Sequence, residues 1–373
     1  MSKYKNILVT GGAGFIGSFL VDELINKGYK VRILDNLEEQ VHHGKKPTYL
    51  NKDAEFIKGD VTDYNIFKKA LTGMDVVYHL AAAVGVAQSN YEIKKYVHSN
   101  VVGSANLADI LANTKHSIKK VIFPASMTGF GEGNYNCKTH GIVRPPVRGE
   151  AQLKKNDFDM YCTKCKNVVL PVATEEEAQE YPSNIYAITK KSQQELLLLT
   201  GELYNIPTVA IRFFNIYGPR QSLSNPYTGV TAIFISRLKN NQVANVYEDG
   251  TQARDFLSVH DAARALILAM EKKSTDYQII NIASGKPTSI EKIARKVAEL
   301  LGKPELIKVS GEFRKNDVKH CYAKTDKAKR ILGFSPKITL QQGFKELIEW
   351  SKNEEAEDGF EKAQKELKKK GII

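Results

Sequence analysis

Tyr186 and Lys190 stand four positions apart in the stretch YAITK, inside a pattern that predicts a helix over Ile185–Leu203. Residues at that spacing leave a helix on the same face. An ammonium beside a phenol favours the phenolate and lowers the phenol pKa toward neutrality, which makes a general base that can return its proton as an acid. Ser126 lies just beyond the predicted strand Lys120–Phe123, where a hydroxyl can face the same reacting group. A second set of reactive side chains comes as two pairs with two-residue spacers, Cys137-Lys138-Thr139-His140 and Cys162-Thr163-Lys164-Cys165. Two short knuckles that unite four such ligands describe a tetrahedral structural zinc site, closed to catalysis. The alternative is a mobile loop with reduced thiols. Cys321 is remote in sequence and reads as a small packed residue.

These groups need a frame, and the amino-terminal stretch ILVTGGAGFIG (7–17) supplies its anchor. Ile7-Leu8-Val9 is a buried parallel strand by composition, and Phe15, Ile16, Phe19 and Leu20 follow the glycines at helical spacing. A strand that turns at once into a helix leaves unpaired N–H groups and a positive dipole end facing outward, which suits a pyrophosphate. Gly11, Gly14 and Gly17 let the backbone turn and approach the phosphates. Asp35 ends the next apolar run, Val31–Leu34, at the offset where a carboxylate binds an adenosine ribose; an acid there accepts NAD and repels the 2′-phosphate of NADP.

Further strands at Ala54–Ile57 and Asp75–Ala82 alternate with helices at Tyr64–Leu71 and Val97–Asn113, and predict a Rossmann-type doubly wound parallel α/β sheet. Asp60 falls at a strand's carboxyl end, and His79 reads as a satisfied core histidine. The rhythm breaks at Glu132 for about fifty residues. It resumes with the strands Thr208–Phe214 and Gln278–Ala283 and helices at Val230–Asn240, Val259–Glu271, after Ser289 and from Thr339 onward. The expected division is an NAD-binding domain over 1–218, joined by 255–283 and carrying the insertion 132–182. Residues 219–254 and 284–373 form a smaller α/β substrate domain. The insertion is expected to be too polar to build a core of its own, so that a metal orders it.

The 373 residues allow one large domain or two moderate ones. No apolar run is long enough for a membrane span, no signal peptide is visible, and four cysteines suit a reducing cytoplasm. The net charge of +12 comes from scattered lysines, densest in EKAQKELKKK (361–370), and reads as a solvated surface.

With these motifs in view the chain resembles the extended short-chain dehydrogenases/reductases that act on nucleotide sugars as NAD-dependent 4-epimerases and dehydratases. The resemblance rests on TGGAGFIG, GDVTD, HLAAAV, Asn100, Ser126, YAITK, RFFNIYGPRQ, Arg254-Asp255-Phe256 and Arg314 with Asp317. It implies NAD contacts from Gly11, Gly14, Phe15, Ile16, Gly17, Asp35, Asn36, Asp60, Val61, Leu80, Ala81, Ala82, Asn100, Tyr186, Lys190 and Phe214. It implies that Ser126 bonds the reacting hydroxyl, and that Asn215, Arg254, Arg314 and Asp317 hold the nucleotide diphosphate. A planar guanidinium suits that task, since it grips phosphate oxygens in pairs. Dehydratases of this kind carry an Asp-Glu pair where this chain has Met127 and Thr128, which speaks against dehydration, so epimerisation at C4 is expected, with a dehydratase or decarboxylase of the same family as the alternative. The insertion and SLSNPYTGVTAIFISRL (222–238) also resemble a subgroup of dTDP-L-rhamnose 4-epimerases, with UDP-glucose and UDP-galactose left open as substrates. The family's usual homodimer pairs the helices that span 97–113 and 185–203 here. A remote alternative is an RNA-binding protein on a relic fold, with Tyr135, Tyr161 and nearby lysines meeting the RNA. Nucleic acid is not the expected partner, because RNA binding has no need of the Tyr186–Lys190 pair.

Overall fold

The computed structural model describes residues 3–227 and 229–372; Thr228, in the 222–238 stretch, lies outside them. Seven strands, β1 (Asn6–Thr10), β2 (Lys30–Asp35), β3 (Glu55–Lys58), β4 (Val76–His79), β5 (Lys120–Ser126), β6 (Thr208–Phe213) and β7 (Ile279–Ile282), form one sheet. Their order is β7-β6-β5-β4-β1-β2-β3, and every neighbouring pair is parallel. Side chains alternate across a strand, so a sheet covered on both faces needs apolar residues at consecutive positions. In β1, Ile7 and Val9 enter the core beneath helices 15–26 and 259–271. Leu8 enters the opposite core with Phe67, Leu107 and Leu197. The strand order reverses between β1 and β4, the switch point where such sheets bind ligands beyond their carboxyl ends.

The expected helix Val97–Asn113 is interrupted. A π-helical turn occupies Val97–Val102 and regular helix begins at Gly103. Asn100 sits in that turn, fully buried.

A second core, around Phe234, Ile235, Val246, Ile293, Val297, Phe344 and Leu347, unites the helices 230–239, 290–300 and 340–351. Thr339 and Gln342 close the start of the last of these as a capping box. The amphipathic tail then breaks, and a separate helix, Phe360–Lys369, follows.

The insertion corrects one expectation. It holds a three-stranded antiparallel sheet, with 134–137 between 141–143 and 170–172. It also has a small core of Tyr135, Cys137, Val143, Met160, Cys162 and Val169. Apolar residues too sparse to show a period along the chain become neighbours once the strands pair, and two cysteines serve as part of that core. Among the described residues, no helix is long and apolar enough to cross a membrane.

Candidate active site

A single cavity of about 780 Å³ runs from the glycine loop, past Ser126 and Tyr186, to Arg254 and Arg314. At its sheet end Gly11 adopts φ +67°, and a Cβ there would lie 2.8 Å from the amide nitrogen of Ala81. The loop therefore lies against the end of β4, and helix 15–26 points its start into the cavity. Asp35 is held by the amides of Ala13 and Leu37, at 3.0 and 2.9 Å. Asp60 accepts from the Thr62 amide and the Asn36 side chain, both at 2.8 Å. Burial raises the pKa of Asp60, but these hydrogen bonds outweigh it and hold the carboxyl below its usual range.

A cleft between a glycine-lined helix start and two fixed carboxylates fits a dinucleotide with its pyrophosphate on the helix and its ribose on the acid. Phe15, Ile16, Asn36, Val61, Leu80, Ala82 and Phe214 line the same cavity with Gly14 and Gly17. Asn100 departs from the expectation, since it does not line the cavity. Its side chain bonds both backbone groups of Ala83, at 2.8 and 3.1 Å, and Thr189 Oγ1 at 3.0 Å. The π-turn aims it inward, where it ties the strand-end loop to the helix of Tyr186.

That helix begins at Asn184, whose side chain accepts from the Ala187 amide at 2.9 Å, while the Tyr186 amide donates to Ser89 at 3.0 Å. The Tyr186 phenol is hydrogen-bonded to Ser126, whose hydroxyl also meets Thr128 Oγ1 at 2.9 Å. Burial pushes the phenol up to about 12, with the Ser126 bond pulling the other way. The same burial brings Lys190 down to about 7. In the protein alone, then, desolvation overrides the lowering of the phenol pKa expected from Lys190. The ammonium is held by Gln193, whose amide donates to Ser104 at 2.9 Å. Ser104 also meets His79, 3.3 Å away, and His79 meets Thr10 at 3.0 Å. His79 is the satisfied core histidine expected, stacked near Phe67.

At the far end Arg254 bonds the carbonyls of Ala253 and Lys319, each at 3.0 Å, and faces Asp317 at 3.5 Å. The Arg314 guanidinium lies 4.5 Å from the ring centre of Tyr247. Asn215 Oδ1, Gln221 Oε1, Gln252 Oε1 and Arg314 Nε are buried without a partner, and all four residues line the cavity. Orphaned polar atoms in residues that line one cavity call for a polar ligand. Sequence reasoning passed over Gln221, Gln252 and Tyr247. Their only signal was position, one residue after Arg220 in RFFNIYGPRQ, two before Arg254, and seven before it.

Away from the cavity, Cys137, His140, Cys162 and Cys165 converge, with all ligand atoms within 4.8 Å of one another. Cys137 Sγ lies 3.6 Å from Cys165 Sγ and 3.6 Å from His140 Nδ1, and Cys162 Sγ lies 3.5 Å from the same nitrogen. A zinc tetrahedron with ordinary bond lengths has edges of about 3.5–3.8 Å, and these three distances match it. Burial raises the Cys137 thiol, but amides of Thr139 and His140 and the His140 ring bring it down to about 6. Gly141 and Lys166, each just past a ligand pair, take φ +68° and +63° to turn the two knuckles. Cys321 is fully buried, as expected of a packed small residue.

The profile of the NAD dependent epimerase/dehydratase family matches residues 7–148, and that of GDP-mannose 4,6 dehydratase matches 168–347. The chain is 33% identical to a dTDP-L-rhamnose 4-epimerase of Burkholderia thailandensis over 93% of its own length and 94% of the relative's. A UDP-glucose 4-epimerase from Thermotoga maritima, solved with UDP-glucose, superposes with a TM-score of 0.76 at 30% identity, covering 93% of this chain and 98% of that one. A UDP-glucuronic acid 4-epimerase from Bacillus cereus, solved with UDP-glucuronic acid and NAD, gives 0.76 at 27% identity, covering 93% and 99%. With a glycine loop, a carboxylate pair and a Tyr–Lys helix on one cavity, and relatives matched along nearly their whole length, the chain belongs to the NAD-dependent epimerase/dehydratase family of extended short-chain dehydrogenases/reductases.

Proposed function

We propose that the protein inverts C4 of a nucleotide-diphosphate sugar, with NAD as a resident cofactor. The observation that carries this reading is one cavity that sets Ser126 and Tyr186 between the dinucleotide loop and the two arginines. Ser126 fixes the direction of the sugar 4-hydroxyl, and Tyr186 takes its proton as the C4 hydrogen leaves as hydride. NAD, held by the glycine loop with Asp35 and Asp60, would supply the hydride acceptor and the returning hydride. Tyr186 then returns the proton once the 4-keto sugar has presented its other face. Lys190, one turn away on the same helix face, sets the charge around the phenol. Arg254 and Arg314 keep the diphosphate anchored while the sugar turns, and Asp317 orients Arg254.

Met127 and Thr128 hold the positions where related dehydratases carry their acid and base. Met127 is buried with Phe130 and Phe214, and Thr128 bonds Ser126, so neither is placed to protonate a leaving hydroxyl. The GDP-mannose 4,6 dehydratase profile begins beyond them, at residue 168. Similarity to a dTDP-L-rhamnose 4-epimerase and to a UDP-glucose 4-epimerase supports dTDP-L-rhamnose or UDP-glucose/UDP-galactose as substrates.

The Cys137, His140, Cys162, Cys165 cluster holds a structural zinc in this reading, supported by the tetrahedral spacing of its donors. Three thiols that converge without a disulfide need a reducing compartment, which supports a cytoplasmic location. The protein acts as a homodimer through the helices 97–113 and 185–203. Val97, Val102, Ile188, Leu196, Leu199 and Leu203 are exposed there, an apolar surface that a second copy would cover.

The deciding experiment is incubation with UDP- and dTDP-linked sugars, with C4 stereochemistry read by NMR. Inversion without added NAD is the expected result; a panel returned without any C4 inversion would defeat the reading.

A further inference from the structure

The lysine-rich helix Phe360–Lys369 is more than a solvated surface. Its lysines all point outward, while Phe360, Ala363 and Leu367 are buried and line the cavity that holds Tyr247 and Arg314. Between them, Gln364 is half-buried and donates from Nε2 to the Tyr247 hydroxyl at 2.5 Å. The segment is tied down along its length. Arg237 meets Asp358 and Glu361, each at 3.2 Å, Glu366 accepts from Tyr227 at 3.0 Å, and Lys315 reaches the Gly371 carbonyl at 3.3 Å. Tyr227 in turn accepts from Tyr91 of the NAD-binding part at 2.7 Å. The helix therefore closes one side of the cavity, tied to both halves of the protein.

We propose that this helix is a wall of the nucleotide-sugar site and that Gln364 touches the nucleotide base and sets which base is accepted. The proposal rests on the nucleotide-sugar reading above. The local chemistry selects a flat, polar, uncharged group at this end. The Tyr247 ring, with the Arg314 guanidinium packed 4.5 Å from its centre, lines this end of the cavity, and aromatic rings stack on bases. Arg314 Nε and Gln252 Oε1 are buried there without partners. A carboxamide carries both donor and acceptor, as does the edge of a pyrimidine, so the two can pair in register. A lysine in its place would be drawn to the phosphates and would read no base edge. In a helix with lysines at 362, 365, 368 and 369, the position bonded to Tyr247 is an amide.

The test is calorimetric titration of two nucleotides, the better-bound of UDP and dTDP, whose bases share one hydrogen-bonding edge, and CDP, whose edge differs, into the full-length, NAD-containing protein and its variants. Gln364→Ala is expected to weaken the better-bound nucleotide about tenfold and to change the ratio between the two, since it removes one hydrogen-bonding group from a buried site. Gln364→Glu, which keeps the shape and reverses donor to acceptor, is expected to do the same. Lys365→Ala, on the outer face, should leave both affinities within about twofold, the scale of an exposed charge. NAD content and thermal midpoint should be unchanged in all three. Wild-type affinities in both Gln364 variants would overturn the role of the helix while leaving the nucleotide-sugar reading intact. A wild-type protein that binds neither nucleotide would overturn both.

Discussion

Arg148 of the insertion and Glu248 of the substrate lobe meet in a buried double hydrogen bond, Nη1 to Oε2 at 2.5 Å and Nη2 to Oε1 at 3.0 Å. Lys319 joins them, 3.4 Å from Glu248 and 2.5 Å from Asp249, and its carbonyl holds Arg254. The insertion is thereby fastened to the segment that positions the candidate diphosphate arginine. Removing one member strands a charge in the interior. Arg148→Met should cost about 3–5 kcal/mol, and Arg148→Met with Glu248→Leu should recover most of it. Urea unfolding of the three proteins checks this; a single variant as stable as the parent would show the pair to be solvated.

Tyr186→Phe removes the hydroxyl proposed to move the substrate proton and spares the glycine loop and the two carboxylates of the dinucleotide cleft. Turnover should fall by roughly 10²–10⁴-fold. NAD content, read by absorbance after denaturation, should match the parent. Undiminished turnover in this variant would end the proposed mechanism.

Gln193 works through Lys190, whose ammonium it accepts while bonding Ser104 on its other side. Gln193→Leu should lower kcat by about tenfold. KM should hold, and the pH profile of kcat should shift because the lysine loses a neutral acceptor. A rise in KM alone would place Gln193 in substrate binding instead. Gln193→Glu should restore much of the rate.

The cysteine cluster predicts about one zinc per chain by elemental analysis. Cys162→Ser should lose the metal and lower the melting temperature, since the ion would tie together two knuckles whose cysteines sit in the small core of the insertion. A metal-free protein with the parent's melting temperature would remove the site.

His79 is buried neutral, and burial followed by the Lys190 charge brings its pKa down to about 3 from the ordinary 6.5. Between those values the unfolded chain takes up a proton that the folded one refuses. Its contribution to stability is therefore complete above pH 6.5 and is lost as pH falls toward 3. Urea midpoints between pH 4 and 8 should decline on the acid side, and His79→Asn should flatten that limb by a few kcal/mol. His320, brought down to about 3 chiefly by burial, keeps part of the slope in the variant. An unchanged slope would mean that His79 takes up its proton in the folded protein.

Local chemistry made much of this protein legible before any coordinates. The glycine loop, the carboxylate after β2 and the YAITK helix depend on spacings within one or two elements, so the sequence alone determined the dinucleotide fold and the reacting pair. The two Cys/His knuckles were legible for the same reason. Tertiary structure decided what depends on contacts between remote segments. It set Tyr186 and Lys190 into the cavity wall so that desolvation governs both, and it placed Asn100 in a π-turn that no periodicity announces, where it ties Ala83 to the helix of Tyr186. It gave the insertion a core from residues scattered between 135 and 169. It also folded a lysine-rich tail back over a cavity more than a hundred residues distant, where Gln364 meets Tyr247. Such pairings carry no signature along the chain, because burial and hydrogen bonding are properties of neighbours in space.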